Sequence, residues 1–368
     1  MTLESLEKRE VLSATTQASQ QYVLELLNLA RTNPAGAAQW IEKHVDAQTQ
    51  ATLNYYNVNL QQELQSIASS PVQPPLAYNG QLASAAKGQS QDQADHNFQS
   101  HAGSDGSDPL ARISRAGYGD VLSNGEDAFA YATSLDNAID AFLIDWGVAD
   151  KGHRRNILQP GVSGGDAYSD VGVGIVTTPG STTSGHIGPY VVTIDFGRQS
   201  GSKAQLLGVA FNDTNNDSLY SMGEGQGNVV VQAQNVATGQ VTSTQTTEAG
   251  GYQVALDPGN YRITGSLNGQ VIRTQDVQVG TTNVKIDFNL TQPWAQTTPA
   301  PVQVVKAAVQ VVKAAALPAP VVTPTPIATV TNAISTPVAA TSSVSPSVMN
   351  PMSWITSWTA YRGGKRIG

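Results

Sequence analysis

Three residues of this sequence combine useful chemistry with neighbours that would expose it: His101, Glu126 and His153. His101 stands just before Gly103-Ser104-Asp105-Gly106-Ser107, Glu126 closes Asn124-Gly125-Glu126, and His153 lies in Gly152-His153-Arg154-Arg155-Asn156-Ile157-Leu158. Two imidazoles and a carboxylate, each near a glycine where the backbone can turn sharply, are the raw material of a polar cleft. Neutral imidazole nitrogens and one carboxylate could hold Zn²⁺ and leave a position open for water. The rival reading is structural, with the three side chains bonding one another and pinning helices to a sheet. Ser104, Ser107 and Asp105 suggest a Ser-His-Asp set with His101, but a triad is defined by geometry that neighbours in one glycine-rich loop rarely have. A turn is expected there instead. His44, His96 and His186 fit no site motif and are expected on the surface or in loops. Arg154 and Arg155 are expected on a solvated helix face, with anion binding beside the cleft as the alternative.

A second constellation is Asp213-Thr214-Asn215-Asn216-Asp217-Ser218-Leu219-Tyr220-Ser221-Met222-Gly223-Glu224. Calcium takes six to eight hard oxygens, and an EF-hand-like loop supplies them at fixed positions. Here side-chain oxygens fall on Asp213, Asn215, Asp217, Ser221 and Glu224, with the Leu219 carbonyl between. Ser218 replaces the glycine that eases the tight turn, and Ser221 stands where an acid would bind more strongly. Both changes predict weak affinity. A polar turn without metal is the alternative.

Bulk properties exclude other chemistry. Cysteine is absent, which removes disulfides, thiolate metal sites and cysteine nucleophiles. The net charge is −8 and no basic stripe is present, so nucleic acid is a poor partner. No run approaches the ~18 apolar residues of a membrane span. Nothing between Met1 and Ala30 offers the roughly 7–15 residue apolar core of a secretory leader.

The surrounding elements must position these groups. Val23, Leu26, Leu27 and Ala30 have helical spacing, and Asn33-Pro34 should end that helix. A second helix is expected after Asn79-Gly80, with Leu82, Ala85, Ala86 and Gln89 on one stripe. A third should run from about Asp136 through Ala138, Ile139, Phe142, Leu143 and Trp146, capped by Ser134 or Asp136. Runs at 171–176 and 190–196 read as strands. Helices followed by strands suggest α+β. From Leu206 to Leu290 short alternating runs read as a small β-sandwich. Within it, Asp257-Pro258-Gly259-Asn260 is expected to turn between paired strands. Nine of the 19 prolines lie between Pro293 and Asn350, where Val302–Ala308 repeats as Val309–Ala315, so an extended linker is expected. Trp354, Trp358 and Tyr361 suggest either a docking peptide or a disordered tail.

These motifs, taken in order, resemble a known family. Leu26-Leu27-Asn28-Leu29-Ala30-Arg31, Pro75-Leu76-Ala77-Tyr78-Asn79, Phe98-Gln99-Ser100-His101, Arg112–Tyr118, Asn124-Gly125-Glu126, Gly152–Leu158 and Val192–Gly197 are similar to the CAP superfamily. That is the cysteine-rich secretory, antigen 5 and pathogenesis-related 1 group, here in its cysteine-free bacterial SCP-like branch. The resemblance implies an α-β-α sandwich with His101, Glu126 and His153 in a central cleft, and zinc at His101 and His153 in some members. The family's second acid has no clear match, and Asp145 is the nearest acidic residue. Residues 205–290 resemble SdrD B-like (Cna-B-related) repeats, which implies a calcium-stabilised immunoglobulin-like spacer. Leu3–Ala14 resembles a Leu-Glu-x-Arg-x-Leu-Leu-Ser motif of exported bacterial proteins.

The expected organisation is therefore an export-type motif at 1–19, a CAP domain at 20–200, a β-sandwich at 205–290, and a disordered Pro/Ala/Thr-rich tail at 291–368. The expected function is an extracellular or cell-surface protein that binds a lipid, peptide or glycan in the cleft. The alternative is a metal-assisted hydrolase.

Overall fold

The computed structural model of the chain describes residues 3–179, 186–292, 360–362 and 365–367. Asparagine, aspartate and serine side chains set most helix starts. Helix α1 (Leu3–Thr32) ends at Asn33, whose side chain then caps α2 (Pro34–His44) by accepting from Gly36 N at 3.0 Å. Asn33-Pro34 thus closes one helix and opens the next, because proline at the first helical position gives up only an amide that has no intrahelical partner. Asp46 caps α3 (Ala47–Tyr55) and Asn59 caps α4 (Leu60–Ala68). After β1 (Ala77–Tyr78), Asn79 caps α5 (Gly80–His96) through Gln81 N and Leu82 N. Asp108 caps α6 (Pro109–Arg115), and Ser134, the first of the two expected caps, accepts from Asn137 N to start α7 (Leu135–Ile144).

The strands β2 (Val121–Ala132), β3 (Asp170–Thr177) and β4 (Tyr190–Gln199) join β1 in the order β1-β3-β4-β2. Helix α5 lies directly on β3. A Cβ at Gly172 would fall 2.0 Å from Ala83 N, and one at Gly174 would fall 2.2 Å from Ala86 C. The Val-Gly-Val-Gly run is therefore a packing pattern: valines face one core and glycines admit a helix backbone on the other. The valine-side core buries Val171, Val173, Ile194 and Phe196 with Leu26 and Leu27 of α1 and Phe142 of α7. The α+β expectation is met, with helices on both faces of the sheet. Trp146 is buried as expected, but α7 stops two residues before it.

A second set of strands follows: β5 (Ala204–Phe211), β6 (Val230–Asn235), β7 (Val241–Gln245), β8 (Gly251–Leu256), β9 (Gly259–Leu267), β10 (Gln270–Val279), β11 (Val284–Lys285) and β12 (Phe288–Asn289). One sheet has the order β10-β9-β6-β7, and in the other β5 pairs with β8, β11 and β12. The residues between the sheets include Leu206, Val231, Tyr261, Ile263 and Phe288. One expectation is corrected. Residues 257–260 do not join paired strands, since β8 pairs with β5 while β9 pairs with β6 and β10. The chain crosses there from one sheet to the other, so that each strand buries its alternate residues in the shared core. Tyr261 secures the crossing by donating from its hydroxyl to Asp257 O at 2.9 Å.

The described residues all belong to one compact unit. Val209, Phe211 and Tyr220 share an apolar core with Tyr22 and Leu26. Lys285 Nζ lies 2.8 Å from Glu25 Oε2. Asn283 Nδ2 donates to Pro75 O at 3.0 Å and Ser169 O at 2.7 Å. The sandwich is thus locked to the first domain.

Strands β13 (Ala360–Arg362) and β14 (Lys365–Ile367) form an antiparallel pair, with Tyr361 opposite Asn124 of β2. This part of the expected tail extends the first sheet. The proline-rich tract, Trp354 and Trp358 lie outside the described residues. No helix among the described residues is long and apolar enough to cross a membrane.

Candidate functional site

Strand β2 carries Glu126 into the middle of the sheet, opposite Asp195 of β4. The segment after α5 returns over that point, and His101 Nδ1 comes to 2.8 Å from Glu126 Oε1. Arg112 of α6 fixes both partners. Its Nη2 donates to Glu126 Oε2 at 2.5 Å and to His101 O at 2.9 Å, and its Nη1 donates to Ser107 O at 2.8 Å. The Glu126 carboxylate is thus held from both sides, by a guanidinium and by an imidazole.

The second imidazole has its own carboxylate. Asp145 ends α7 in the left-handed region at φ 58°, which aspartate tolerates better than most residues. The turn brings its side chain back over the start of α8 (Gly152–Leu158). Asp145 Oδ1 lies 2.6 Å from His153 Nδ1, and Oδ2 accepts from His153 N at 2.9 Å and Arg154 N at 3.3 Å. Burial pushes the His153 imidazolium below its ordinary pKa, Asp145 opposes that shift, and the nearby His101 adds to it.

His101, Glu126, His153 and Asp145 are therefore brought together as two histidine–carboxylate pairs. Asp145, the nearest acidic residue in sequence, bonds His153 from a spacing that differs from the family's common one. Two other expectations change. Arg154 is buried rather than solvated: it donates to Leu143 O at 2.5 Å and Ile144 O at 2.8 Å, and it pairs with Glu63. Those contacts close the C-terminal end of α7, whose last carbonyls have no intrahelical partner. Arg155 is exposed, 3.7 Å from Asp150. The glycines also act differently than expected. Gly125 continues a strand, and a Cβ there would lie 2.7 Å from the Tyr168 hydroxyl. Gly152 begins α8. Only Gly106, at φ 77°, makes a sharp turn.

No triad forms around the 103–107 loop. The Ser104 hydroxyl donates to Asp92 at 2.5 Å, and Ser107 N donates to Asp105 at 2.8 Å. His44, His96 and His186 are exposed, as expected.

Sequence reasoning missed the layer beneath the histidines. Asp195 and Asp127 are buried, and burial above all holds both well above the usual carboxylate range, with the neighbouring Glu126 adding to the shift. Asn156 Nδ2 donates to Asp127 Oδ1 at 2.8 Å. Acids inside the otherwise uncharged run 191–196 and next to Glu126 were the available signal. Arg112 was noticed only as part of a helix motif.

The crevice beside His153 holds about 10 Å³ and is lined by Gln99, Phe142, Asp145 and Trp146. That is roughly the space of one water molecule. Among the described residues no three of His, Asp and Glu are placed to hold a metal ion. The two imidazoles are oriented as metal ligands commonly are, with the other ring nitrogen on a carboxylate. As nitrogen donors they number only two.

The Asp213–Glu224 loop winds around its first residue. Asp213 Oδ1 accepts from Asp217 N at 3.1 Å, and Oδ2 accepts from Ser218 N at 3.1 Å and Asn289 Nδ2 at 3.0 Å. Ser218 has φ 64°, the conformation a glycine would take there without strain. Glu224 closes the loop by accepting from Thr214 N and Ser221 N, each at 2.8 Å. The wrap matches the spacing, while the carboxylates face the loop's own amides.

Comparison with known proteins adds the following. No curated protein matches the chain. An extracellular protein containing an SCP domain from Bacillus anthracis str. Ames shares 23% identity over 41% of this chain and 40% of its own, with TM-score 0.27. The major pilin subunit of Bacillus cereus shares 9% identity over 27% of this chain and 43% of its own, with TM-score 0.19. The chain thus spans under half the length of either protein. Residues 24–196 match the family model of the cysteine-rich secretory proteins, CAP. They contain His101, Glu126, Asp145 and His153, and this part of the chain is a CAP domain.

Proposed function

We propose that the chain is an exported bacterial protein whose CAP domain binds a ligand at the His101–His153 cleft. The observation that carries this reading is the pairing of each imidazole, through Nδ1, with its own carboxylate. Such pairing presents a rigid, polar surface with no activated nucleophile. Lipid, peptide and glycan all remain within the class of ligand. Zinc would bind through His101 and His153, weakly, since Glu126 and Asp145 already serve as hydrogen-bond partners. When bound, the ion would polarise a water or a carbonyl of the ligand. Metal-assisted hydrolysis is the second reading, favoured by the water-sized crevice at His153.

Residues 205–290 serve in this reading as an SdrD B-like module. Calcium would be held by Asp213, Asn215, Asp217, the Leu219 carbonyl, Ser221 and Glu224, which suits a protein working outside the cell, where calcium is abundant. The export-type motif at 1–19 agrees with that location.

The test is zinc titration of the full chain beside His101→Ala and His153→Ala, with circular dichroism as the control for folding. Loss of zinc binding in both folded variants supports the cleft. Wild-type binding in both removes zinc from the site. Unfolding of both assigns the histidines a structural role. Finding the intact chain only in the cytosol would overturn export.

A further inference from the structure

A second concavity lies away from the histidines, where α1 faces the β-sandwich. It holds about 340 Å³, within the range of small-ligand clefts, roughly 300–1,000 Å³. Its lining joins apolar side chains, Leu24, Leu76 and Leu207 among them, to a set of amides. Five glutamines contribute: Gln17, Gln20 and Gln21 from α1, and Gln245 and Gln253 from the sandwich. Thr244 and Thr247 add hydroxyls, and Tyr78 stands at the rim with 37% of its surface exposed.

Charge narrows the ligand class. The one Asp, Glu, Lys, Arg or His in the lining is Glu25, and it is already held by Lys285 Nζ at 2.8 Å and Gln21 Nε2 at 2.8 Å. A phosphate or carboxylate ligand would lose its hydration there and meet no cation. A cationic ligand would meet an acid whose charge is already balanced. A lipid tail would take water from the amide N–H and C=O groups that the protein itself leaves open.

The amides are also fixed in place. Gln20 Nε2 donates to Val173 O at 2.7 Å, and Gln253 Nε2 donates to Tyr78 O at 3.0 Å. Gly251 leaves room for Gln21, because a Cβ there would come within 2.0 Å of Gln21 Oε1. Anchored amides pay little ordering entropy on binding. Each anchored amide keeps a second N–H and its carbonyl oxygen, one donor and one acceptor, which suits hydroxyl and acetamido groups. A tyrosine ring offers an apolar face with a polar edge, which suits the C–H face of a sugar. We propose that this groove binds a neutral oligosaccharide. The site is separate from the CAP cleft and stands whether or not the cleft takes zinc or another ligand.

The test uses the full chain and calorimetric titration with tetrasaccharides of N-acetylglucosamine, glucose and mannose. A polygalacturonate oligomer and an uncharged Gly/Ser peptide are the comparators. Saturable binding of at least one neutral sugar is expected, with neither comparator binding. Tyr78→Ala should weaken that binding about tenfold, the loss of one good contact. Gln253→Ala, at an exposed position, should weaken it too, while His101→Ala should leave it unchanged. The proposal is overturned if no neutral sugar binds, if a comparator binds better, or if Tyr78→Ala and Gln253→Ala both bind like wild type. Sensitivity to His101→Ala alone would move the sugar to the cleft and also overturn it.

Discussion

Replacing Asp145 probes the joint between α7 and the second imidazole. The aspartate accepts from His153 N at 2.9 Å, holds His153 Nδ1 at 2.6 Å, and takes a weaker third bond from Arg154 N at 3.3 Å. Bonds to a charged acceptor contribute about 1.5–3 kcal/mol each and do not add fully. Losing the two short ones should therefore cost about 3–4 kcal/mol. Alanine at φ 58° adds about 1 kcal/mol of left-handed strain. Asp145→Ala should thus lose about 4–5 kcal/mol, a large share of a typical domain stability of roughly 5–15 kcal/mol. Asp145→Gly breaks the same bonds without the strain, and should be about 1 kcal/mol more stable than the alanine variant. Asp145→Asn keeps an acceptor and the left-handed preference, and should lose only about 1–2 kcal/mol. Urea midpoints at pH 7, read with unchanged slopes, would rank the three. An alanine variant within about 1 kcal/mol of wild type, or a glycine variant less stable than alanine, would refute the account.

Asp140 is buried, and neither carboxylate oxygen meets a donor among the described residues. Burial, and then the charges of Asp136 and Asp46, push its pKa up to about 8. The folded state thus keeps a proton that the unfolded chain loses near pH 4, so stability from this group is full below about pH 4 and lost as pH rises toward 8. The slope is up to ~1.4 kcal/mol per pH unit, and Asp140→Asn should flatten stability between pH 5 and 7.5; parallel curves would rule this out. Millimolar Ca²⁺ should raise the melting temperature of the full chain over a chelator control, by an amount equivalent to ~2.7 kcal/mol at 100-fold excess over Kd. Glu224→Gln should remove most of the shift, and equal wild-type melting points in both conditions would leave the loop a plain polar turn. Gly172→Ala, whose Cβ would meet the α5 backbone at 2.0 Å, should cost more than about 3 kcal/mol; a change under 1 kcal/mol in thermal unfolding would show that α5 shifts freely.

Local signals carried most of the helical frame. Asn33-Pro34, Asn79-Gly80 and Ser134 each mark a helix boundary through chemistry confined to a few residues. Helix α3, Ala-Gln-Thr-Gln-Ala-Thr-Leu-Asn-Tyr, has no apolar stripe and buries only Thr49 and Leu53, so its pattern was silent. Strand β2 is buried on both faces around Glu126 and Asp127, which erases the alternation that would reveal a strand. Asn268-Gly269, both at positive φ, turns the hairpin between β9 and β10, and that dipeptide is a hairpin signal legible in the sequence. In the site, His101, Glu126 and His153 were legible from flanking motifs. Arg112 and Asp195 were not, because strand register and the return of α6 place them. Asp145 stayed uncertain because two left-handed residues, Asp145 and Lys151, fold the intervening turn back on itself.

The direction of β12 has a mechanical consequence. The chain enters the sandwich along β5 and leaves it along β11 and β12, which run parallel to β5 as its direct neighbours. Tension between the CAP domain and the segment beyond residue 292 would load these strands in shear, so their hydrogen bonds must fail together rather than unzip one at a time. Asn283 and Lys285, which tie β11 to the CAP domain, add a second attachment across the same line of force. Under such a load the sandwich would act as a strain-bearing coupling, and the pull would reach the CAP domain with the connection still folded.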